Sequence, residues 1–156
     1  MELATKQHDW TKIAEIELVY KTTVKPSERP KLTSAIDAFH FLVQTWDPNK
    51  LEFIEQFKVL LLNRAMKVLG IYEVSSGTTV GCIVDAKLVL CAAIKANASN
   101  LILCHNHPSG NLNPSESDKS ITQKLKMAST YHDFKITDHI IISKESYFSF
   151  AEQGLL

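Results

Sequence analysis

The chain has 156 residues, of which 45% are hydrophobic and 22% are charged, and this length and apolar content suit one globular domain with a continuous core. Its 17 acidic residues balance its 17 lysines and arginines, so no net positive field attracts a polyanion, which argues against direct binding of nucleic acid. No apolar run approaches the roughly 20 residues of a membrane span, and the opening MELATKQHDW lacks the features of a signal peptide. We therefore expect no membrane association and a cytoplasmic location.

The hydrophobic pattern of the N-terminal part predicts a strand and then a helix. Apolar side chains alternate with charged ones in residues 13–24, IAEIELVYKTTV, as in a half-buried strand. Residues 33–46 instead repeat apolar side chains at helical spacing behind Ser34, a good N-cap, and an Asp-Pro pair ends the run. We take residues 1–32 as an N-terminal strand and linker packed on the domain, and residues 33–156 as the domain itself.

The middle of the chain predicts two strands, a helix and a further strand. Residues 55–77 divide into two strands around a short turn at NRAM, and their continuous apolar character suggests burial on both faces. A helix follows from Asp85 through residues 86–98. Residues 100–107, NLILCHNH, then form an apolar strand.

The C-terminal part predicts a helix, a strand and a short closing helix. In residues 113–133 the helix begins with Asn113 as N-cap and a proline at the first helical position. Residues 135–142, KITDHIII, form the last strand, and residues 144–154 form the closing helix with Gly154 as its stop. Strands and helices alternate without an internal repeat, so we predict a single α/β domain in which helices sandwich a mixed sheet.

The cysteines give no sign of a disulfide framework or of a cysteine-based metal site. Cys82, Cys91 and Cys104 form no CxxC pair, and an odd number leaves at least one thiol free. We predict that all three are buried, reduced thiols.

The stretch CHNHPSGNLNPSESD brings together side chains that carry chemistry. On a strand, His105 and His107 project to one face while Asn106 projects to the other. The chain restarts as a helix after an Asn-Pro pair, and Ser115 and Asp118, three residues apart, lie on one face of its first turns. A strand end and a helix start therefore direct two imidazoles, a hydroxyl and a carboxylate into one cleft.

Two imidazoles and one carboxylate form a ligand set that zinc accepts, with the fourth tetrahedral position left to water, as in catalytic sites. Two ordinary strand-end histidines are the alternative, but the serine and aspartate at a suitable spacing argue against it. The letters HNH also spell the name of a nuclease family, whose residues are spread over a ββα-metal unit rather than adjacent. A zinc nucleobase deaminase would show H-x-E and a later P-C-x-x-C, and both are absent from the sequence.

Four segments, HNHPSG, PSESD, TDHIII and YFSFAEQGLL, closely resemble the RadC-like branch of the JAB/MPN+ (JAMM) metalloprotease family. The family pattern is an upstream glutamate, H-x-H, seven residues, serine, two residues and aspartate. His105, His107, Ser115 and Asp118 match it without a gap. The resemblance covers roughly residues 30–156 and implies the JAB/MPN, cytidine-deaminase-like architecture.

The resemblance implies a zinc-dependent metallopeptidase or isopeptidase that hydrolyses a peptide or protein substrate. It assigns one zinc per chain to His105, His107 and Asp118, and stabilisation of the oxyanion to Ser115. The catalytic glutamate of the family lies at the start of an apolar strand before the histidines, where IEQFKVLLLN supplies Glu55. The competing carboxylates are Glu52 and Glu73.

The sequence departs from its longer relatives in two respects. A helix-hairpin-helix module precedes the domain in longer RadC proteins, and the N-terminal third here lacks the glycine-containing hairpins of that module. The helix before the histidine strand reads DAKLVL, with Leu88 where relatives often carry an acidic residue. Asp138 and His139 form a family-like pair to which we assign support of the sheet or of the ligand residues.

The alternative function is that of an accessory protein in DNA repair or recombination, the role that gives RadC-like proteins their label. In that case the zinc-binding domain would serve partner interaction, with recruitment to DNA-processing proteins rather than direct contact with DNA. An intact ligand set together with a candidate base favours the enzyme.

Overall fold

A computed structural model of the protein describes residues 21–78 and 81–156. In chain order the elements are α1 (Ala35–Thr45), α2 (Pro48–Leu51), β1 (Gln56–Leu62), β2 (Val68–Ser76), α3 (Ala86–Lys95), β3 (Asn100–Asn106), α4 (Glu116–Thr130), β4 (Lys135–Ile142) and β5 (Tyr147–Ser149). Within the described residues, none of these helices is long and apolar enough to cross a membrane.

The five strands form one mixed sheet in the order β2-β1-β3-β4-β5. The central strand β3 runs antiparallel to β1 and parallel to β4, while the outer strands β2 and β5 pair antiparallel with β1 and β4. The parallel pair needs a crossover connection, which α4 provides. The predicted α/β fold with a mixed sheet is thus confirmed.

Helices cover both faces of the sheet, so the core is split into two apolar layers. On one face α1 packs against Leu60, Ile102 and Ile140, and on the other face α3 and α4 pack against Val59 and Leu103. Every residue of β1 is buried, as its continuous apolar sequence predicts. The same prediction is wrong for β2, which is only partly buried because it lies at the edge of the sheet.

Two helix starts differ from the sequence prediction, while the start of α1 agrees with it. Ser34 caps α1 and accepts a hydrogen bond from the backbone N–H of Asp37, as predicted. Asp47 does not simply follow the end of α1 but caps the short helix α2, which was not predicted. The N-cap of α4 is Ser115 and not Asn113, because Ser115 and Asp118 form a reciprocal capping box that satisfies two backbone N–H groups.

The predicted closing helix is also wrong, because the segment begins as strand β5. Its backbone pairs with the end of β4, and the Tyr147 ring packs against Phe39 of α1 at a centroid distance of 5.1 Å. Phe148 and Phe150 recur at a spacing of two, the period of a strand, and this alternation outweighs the helical pattern. Only a single turn follows, and Gly154 ends it with a φ of +68°.

Two further predictions meet the structure only in part. The predicted N-terminal strand lies outside the described residues except for residues 21–24, which are not in a strand, and the division into residues 1–32 and 33–156 stays a prediction. All three thiols are free, but only Cys104 is buried; Cys82 is half-buried and Cys91 is exposed. Cys91 lies on the outer side of α3, because only the inner face of this helix packs against the sheet.

A bulge in β4 changes which face its side chains occupy. Leu101 of β3 pairs with Ile136, but the next residue, Ile102, pairs with Asp138, so Thr137 is an extra residue in the ladder. Ile136 therefore packs on the α4 face of the sheet, whereas Ile140 packs on the α1 face. The shift brings His139 opposite Leu103 and onto the α4 face.

Candidate metal centre

The three predicted metal ligands converge at the C-terminal end of β3. Nε2 of His105 lies 3.0 Å from Nε2 of His107 and 3.3 Å from Oδ1 of Asp118. Nε2 of His107 lies 3.9 Å from Oδ2 of Asp118. One ligand atom from each of the three residues falls within 4.8 Å of the others, and no other such group of three or more histidine, cysteine or carboxylate ligands occurs among the described residues.

The spacing and the chemistry of these donors fit a tetrahedral metal site. Metal–ligand bonds of about 2.0–2.2 Å at tetrahedral angles place neighbouring ligand atoms about 3.3–3.5 Å apart, which the measured distances bracket. Nδ1 of His107 hydrogen-bonds the carbonyl oxygen of Asn111. A carbonyl only accepts, so Nδ1 carries the hydrogen and the neutral ring presents the Nε2 lone pair to the site.

The chain turns sharply after β3 to hold His107 in this position. His107 donates its backbone N–H to the carbonyl of Ile142 in β4, at 3.1 Å, and its own carbonyl accepts from Gly110 at 3.0 Å. Gly110 has a φ of +77°, a conformation that glycine adopts without a steric penalty. The turn thereby returns Asn111 to the His107 ring.

Asp118 is fixed by the capping box of α4. One carboxylate oxygen, Oδ2, accepts the backbone N–H and the hydroxyl of Ser115, each at 2.7 Å, which leaves Oδ1 directed at His105. Hydrogen bonds to a carboxylate favour its ionised form, and Ser115 makes two of them here. The carboxylate is therefore ionised, as a metal ligand must be.

Glu55 lies in the cleft that also contains His107 and Asp118. It immediately precedes β1, which pairs antiparallel with β3, and its backbone N–H donates to the carbonyl of Thr78 at 3.0 Å. Its side-chain oxygen accepts from the backbone N–H of Cys82 at 3.2 Å and lies 3.3 Å from the thiol. Burial, with the nearby Glu55 charge, raises the pKa of Cys82 to about 12, so this thiol is protonated and donates to Glu55.

Neither of the two competing glutamates lines the cleft that contains Glu55, His107 and Asp118. Glu73 pairs with Lys58 across β1 and β2, at 3.5 Å, on the sheet face opposite to Phe57 and His105. Glu52 forms an exposed ion pair with Lys144 at 3.4 Å. Of the three candidate glutamates, Glu55 is the one that shares a cleft with His107 and Asp118.

His139 and Asp138 make contacts that the sequence did not reveal. Nε2 of the fully buried His139 ring lies 2.8 Å from Nδ1 of His105, behind the ligand face. Full burial holds the pKa of His139 well below its ordinary value, so the ring is neutral. Asp138 accepts from the hydroxyl of Ser149 at 2.6 Å and the N–H of Ala151 at 3.0 Å, which fastens the C-terminal segment to the sheet.

Asn106, between the two histidines, was assigned no role from the sequence. As predicted, its side chain lies on the opposite face, where it donates to the carbonyls of Leu51 and Ile54 at 2.7 and 2.8 Å. It also accepts the backbone N–H of Gln56 at 2.8 Å. These bonds tie the segment that carries Glu55 to the histidine strand. A buried amide flanked by two candidate ligands was the signal that could have revealed this role.

Comparison with known proteins gives a consistent set of relatives. The family model of the RadC-like JAB domain matches residues 32–155. A UPF0758 protein of Flavobacterium johnsoniae is 45% identical over 127 residues, which cover 80% of this chain and 53% of that protein. A UPF0758 protein of Symbiobacterium thermophilum is 35% identical over 147 residues, 94% of this chain and 61% of the relative. The chain thus spans somewhat more than half the length of these two relatives.

Proposed function

The chain belongs to the RadC-like JAB domain family, and on that premise we propose that it is a zinc-dependent peptidase or isopeptidase. The observation that carries the proposal is the convergence of His105, His107 and Asp118 with a non-ligand carboxylate, Glu55, at the same cleft. Three protein ligands leave a coordination position for water, whereas structural zinc sites are usually closed by four protein ligands. Cys82 does not belong to the group of converging ligand atoms, and its thiol bonds to Glu55 at 3.3 Å instead.

The proposed reaction assigns the proton transfers to Glu55. When bound, zinc would lower the pKa of a water from 15.7 towards about 7 and so supply a nucleophile at neutral pH. Glu55 accepts the proton of that water and later passes it to the leaving amine, as a general base and then a general acid. The backbone N–H of Cys82 holds the Glu55 carboxylate at the cleft while the proton moves.

Ser115 serves the proposed reaction in two ways. Its backbone N–H and hydroxyl hold Oδ2 of Asp118. Rotation of the hydroxyl away from Oδ2 leaves the backbone N–H on that oxygen and frees the O–H to donate to the substrate oxygen on which negative charge develops. Removal of one donor to a developing oxyanion typically costs about 10²–10³-fold in kcat.

The test of this function is hydrolysis that requires the metal. Protein loaded with one equivalent of zinc is incubated with a peptide library and with isopeptide-linked lysine peptides, and new amines are measured by mass spectrometry. We expect cleavage of at least one substrate class, loss of cleavage after chelation and its return on addition of zinc. Absence of cleavage by zinc-loaded protein would contradict the proposal and favour a binding role.

A direct role on DNA is tested separately by the binding of nucleic acid. With 17 basic and 17 acidic residues, the chain has no basic surplus to release counterions from a duplex. We therefore expect weak binding that disappears at moderate salt, measured as fluorescence anisotropy of a labelled duplex during a salt titration. Sequence-selective, sub-micromolar binding at physiological salt would instead support a direct role on DNA.

A further inference from the structure

A chain of hydrogen bonds connects the buried side of His105 to helix α4. Nδ1 of His105 lies 2.8 Å from Nε2 of His139, and Nδ1 of His139 lies 2.6 Å from the hydroxyl of Thr122. The Thr122 hydroxyl in turn donates to the backbone carbonyl of Asp118 at 2.5 Å. His105, His139 and Thr122 are all fully buried, so within the protein these groups bond to one another rather than to bulk water.

The direction of each hydrogen bond in this series follows from the group at its end, the backbone carbonyl of Asp118. The carbonyl of Asp118 can only accept, so the single hydroxyl hydrogen of Thr122 must point to it. Thr122 can then only accept from His139, which places a hydrogen on Nδ1 of that neutral ring and a lone pair on Nε2. The lone pair on Nε2 requires the hydrogen between the two rings to belong to Nδ1 of His105.

We infer that His139 and Thr122 are positioning residues that select the tautomer of His105 in which the Nε2 lone pair faces His107 and Asp118. The other neutral tautomer would direct an N–H at the ligand atoms and could not bind a metal. This series of hydrogen bonds links the ring of one ligand residue, His105, to the backbone of another, Asp118. It therefore also fixes the start of α4 relative to β3.

The packing around His139 supports a specific orientation for its ring. The ring stacks on Phe150 at a centroid distance of 4.7 Å and meets the edge of Phe57 at 5.5 Å. These aromatic rings contain no hydrogen-bonding N or O atoms, so the two ring nitrogens of His139 have their partners in His105 and Thr122. Removal of either partner leaves a buried polar atom without a hydrogen bond, which is costly.

The first test is the tautomer in the metal-free protein, measured by long-range ¹H–¹⁵N correlation of the imidazole rings at mildly alkaline pH. We expect His105 and His139 both to carry the hydrogen on Nδ1 and to have an unprotonated Nε2. A hydrogen on Nε2 of His105 would overturn the inference. This measurement needs neither a substrate nor a variant.

The second test compares two substitutions at one buried position. Thr122→Val keeps the shape of the side chain and removes the hydroxyl, whereas Thr122→Ser keeps the hydroxyl. We expect Thr122→Val to shift His105 towards the other tautomer and to weaken zinc binding, measured by competition with a chromogenic chelator. Partners of metal ligands are typically worth about 10–100-fold in affinity, and we expect a loss towards the lower end because Thr122 acts through His139.

The Thr122→Ser protein should stay within about threefold of the parent in zinc affinity, with parent-like ring signals, by the same reasoning on outer partners. Equal affinities and identical tautomers in the valine and serine variants would overturn the inference. It rests on the zinc site of the proposed function but not on the hydrolysis. If the parent itself binds no zinc, the proposed function fails, whereas zinc binding that is indifferent to Thr122 contradicts only the tautomer selection.

Discussion

Glu55→Gln is expected to fold and to bind zinc like the parent, yet to lose nearly all hydrolysis of any substrate found for the parent. The amide keeps the side-chain oxygen that accepts from the backbone N–H of Cys82, so the local structure is preserved. It cannot take a proton from water, and general acid–base catalysis is typically worth about 10²–10⁴-fold in rate. Steady-state kinetics on the parent's best substrate, together with zinc content, measure both parts of this expectation.

The same substitution at the two competing glutamates provides the matched controls. Glu52→Gln breaks an exposed ion pair with Lys144, which is worth little. Glu73→Gln weakens the partner of the largely buried Lys58 and acts on the opposite face of the sheet from His105. Both variants should turn over substrate like the parent. Parent-like turnover in Glu55→Gln, with loss in Glu73→Gln, would assign the base to the other carboxylate.

The parent is expected to bind about one zinc per chain, and His107→Ala is expected to lose it. Three ligands complete one site of the catalytic type, and removal of one leaves only His105 and Asp118. Zinc per chain, measured by mass spectrometry of protein purified without chelator, should fall from about one to near zero. Because a metal that binds only the folded state stabilises it, zinc should also raise the melting temperature of the parent and not of the variant.

His40→Ala is the matched control for the zinc measurement. His40 is an exposed residue of α1 and joins no metal-ligand group within residues 21–78 and 81–156, so its removal should leave both the zinc content and the zinc-dependent stabilisation unchanged. Full zinc occupancy in His107→Ala would show that the proposed ligand set is wrong.

The helices and strands of the core could be predicted from the sequence because the spacing of apolar residues shows which side chains are buried. The continuous apolar run of β1 predicts a strand buried on both faces. The helical spacing in α1 predicts a helix that packs one apolar face against the sheet. The convergence of His105 and His107 could likewise be predicted, since strand residues two apart share a face. These are local properties that need no knowledge of neighbouring elements.

The predictions that were wrong depended on contacts between elements or on competing local signals. Tyr147 joins a strand because β4 and Phe39 are there to receive it. Asn113 is a good N-cap in isolation, but the reciprocal bonds of Ser115 and Asp118 give the later start more hydrogen bonds. The contact of His139 with His105 requires the pairing register of two strands far apart in sequence, which periodicity alone cannot supply.

The bulge at Thr137 makes the site depend on how this residue is accommodated in the ladder as well as on residue identities. If Thr137 were paired as an ordinary strand residue, strict alternation from Ile136 would exchange the faces occupied by Asp138 and His139. A carboxylate would then stand behind His105, and the imidazole would lie on the α1 face of the sheet. Deletion of Thr137 would instead remove the bulge while keeping Asp138 opposite Ile102 and His139 opposite Leu103. The bulge thus decides which of two adjacent polar side chains supports the candidate metal centre.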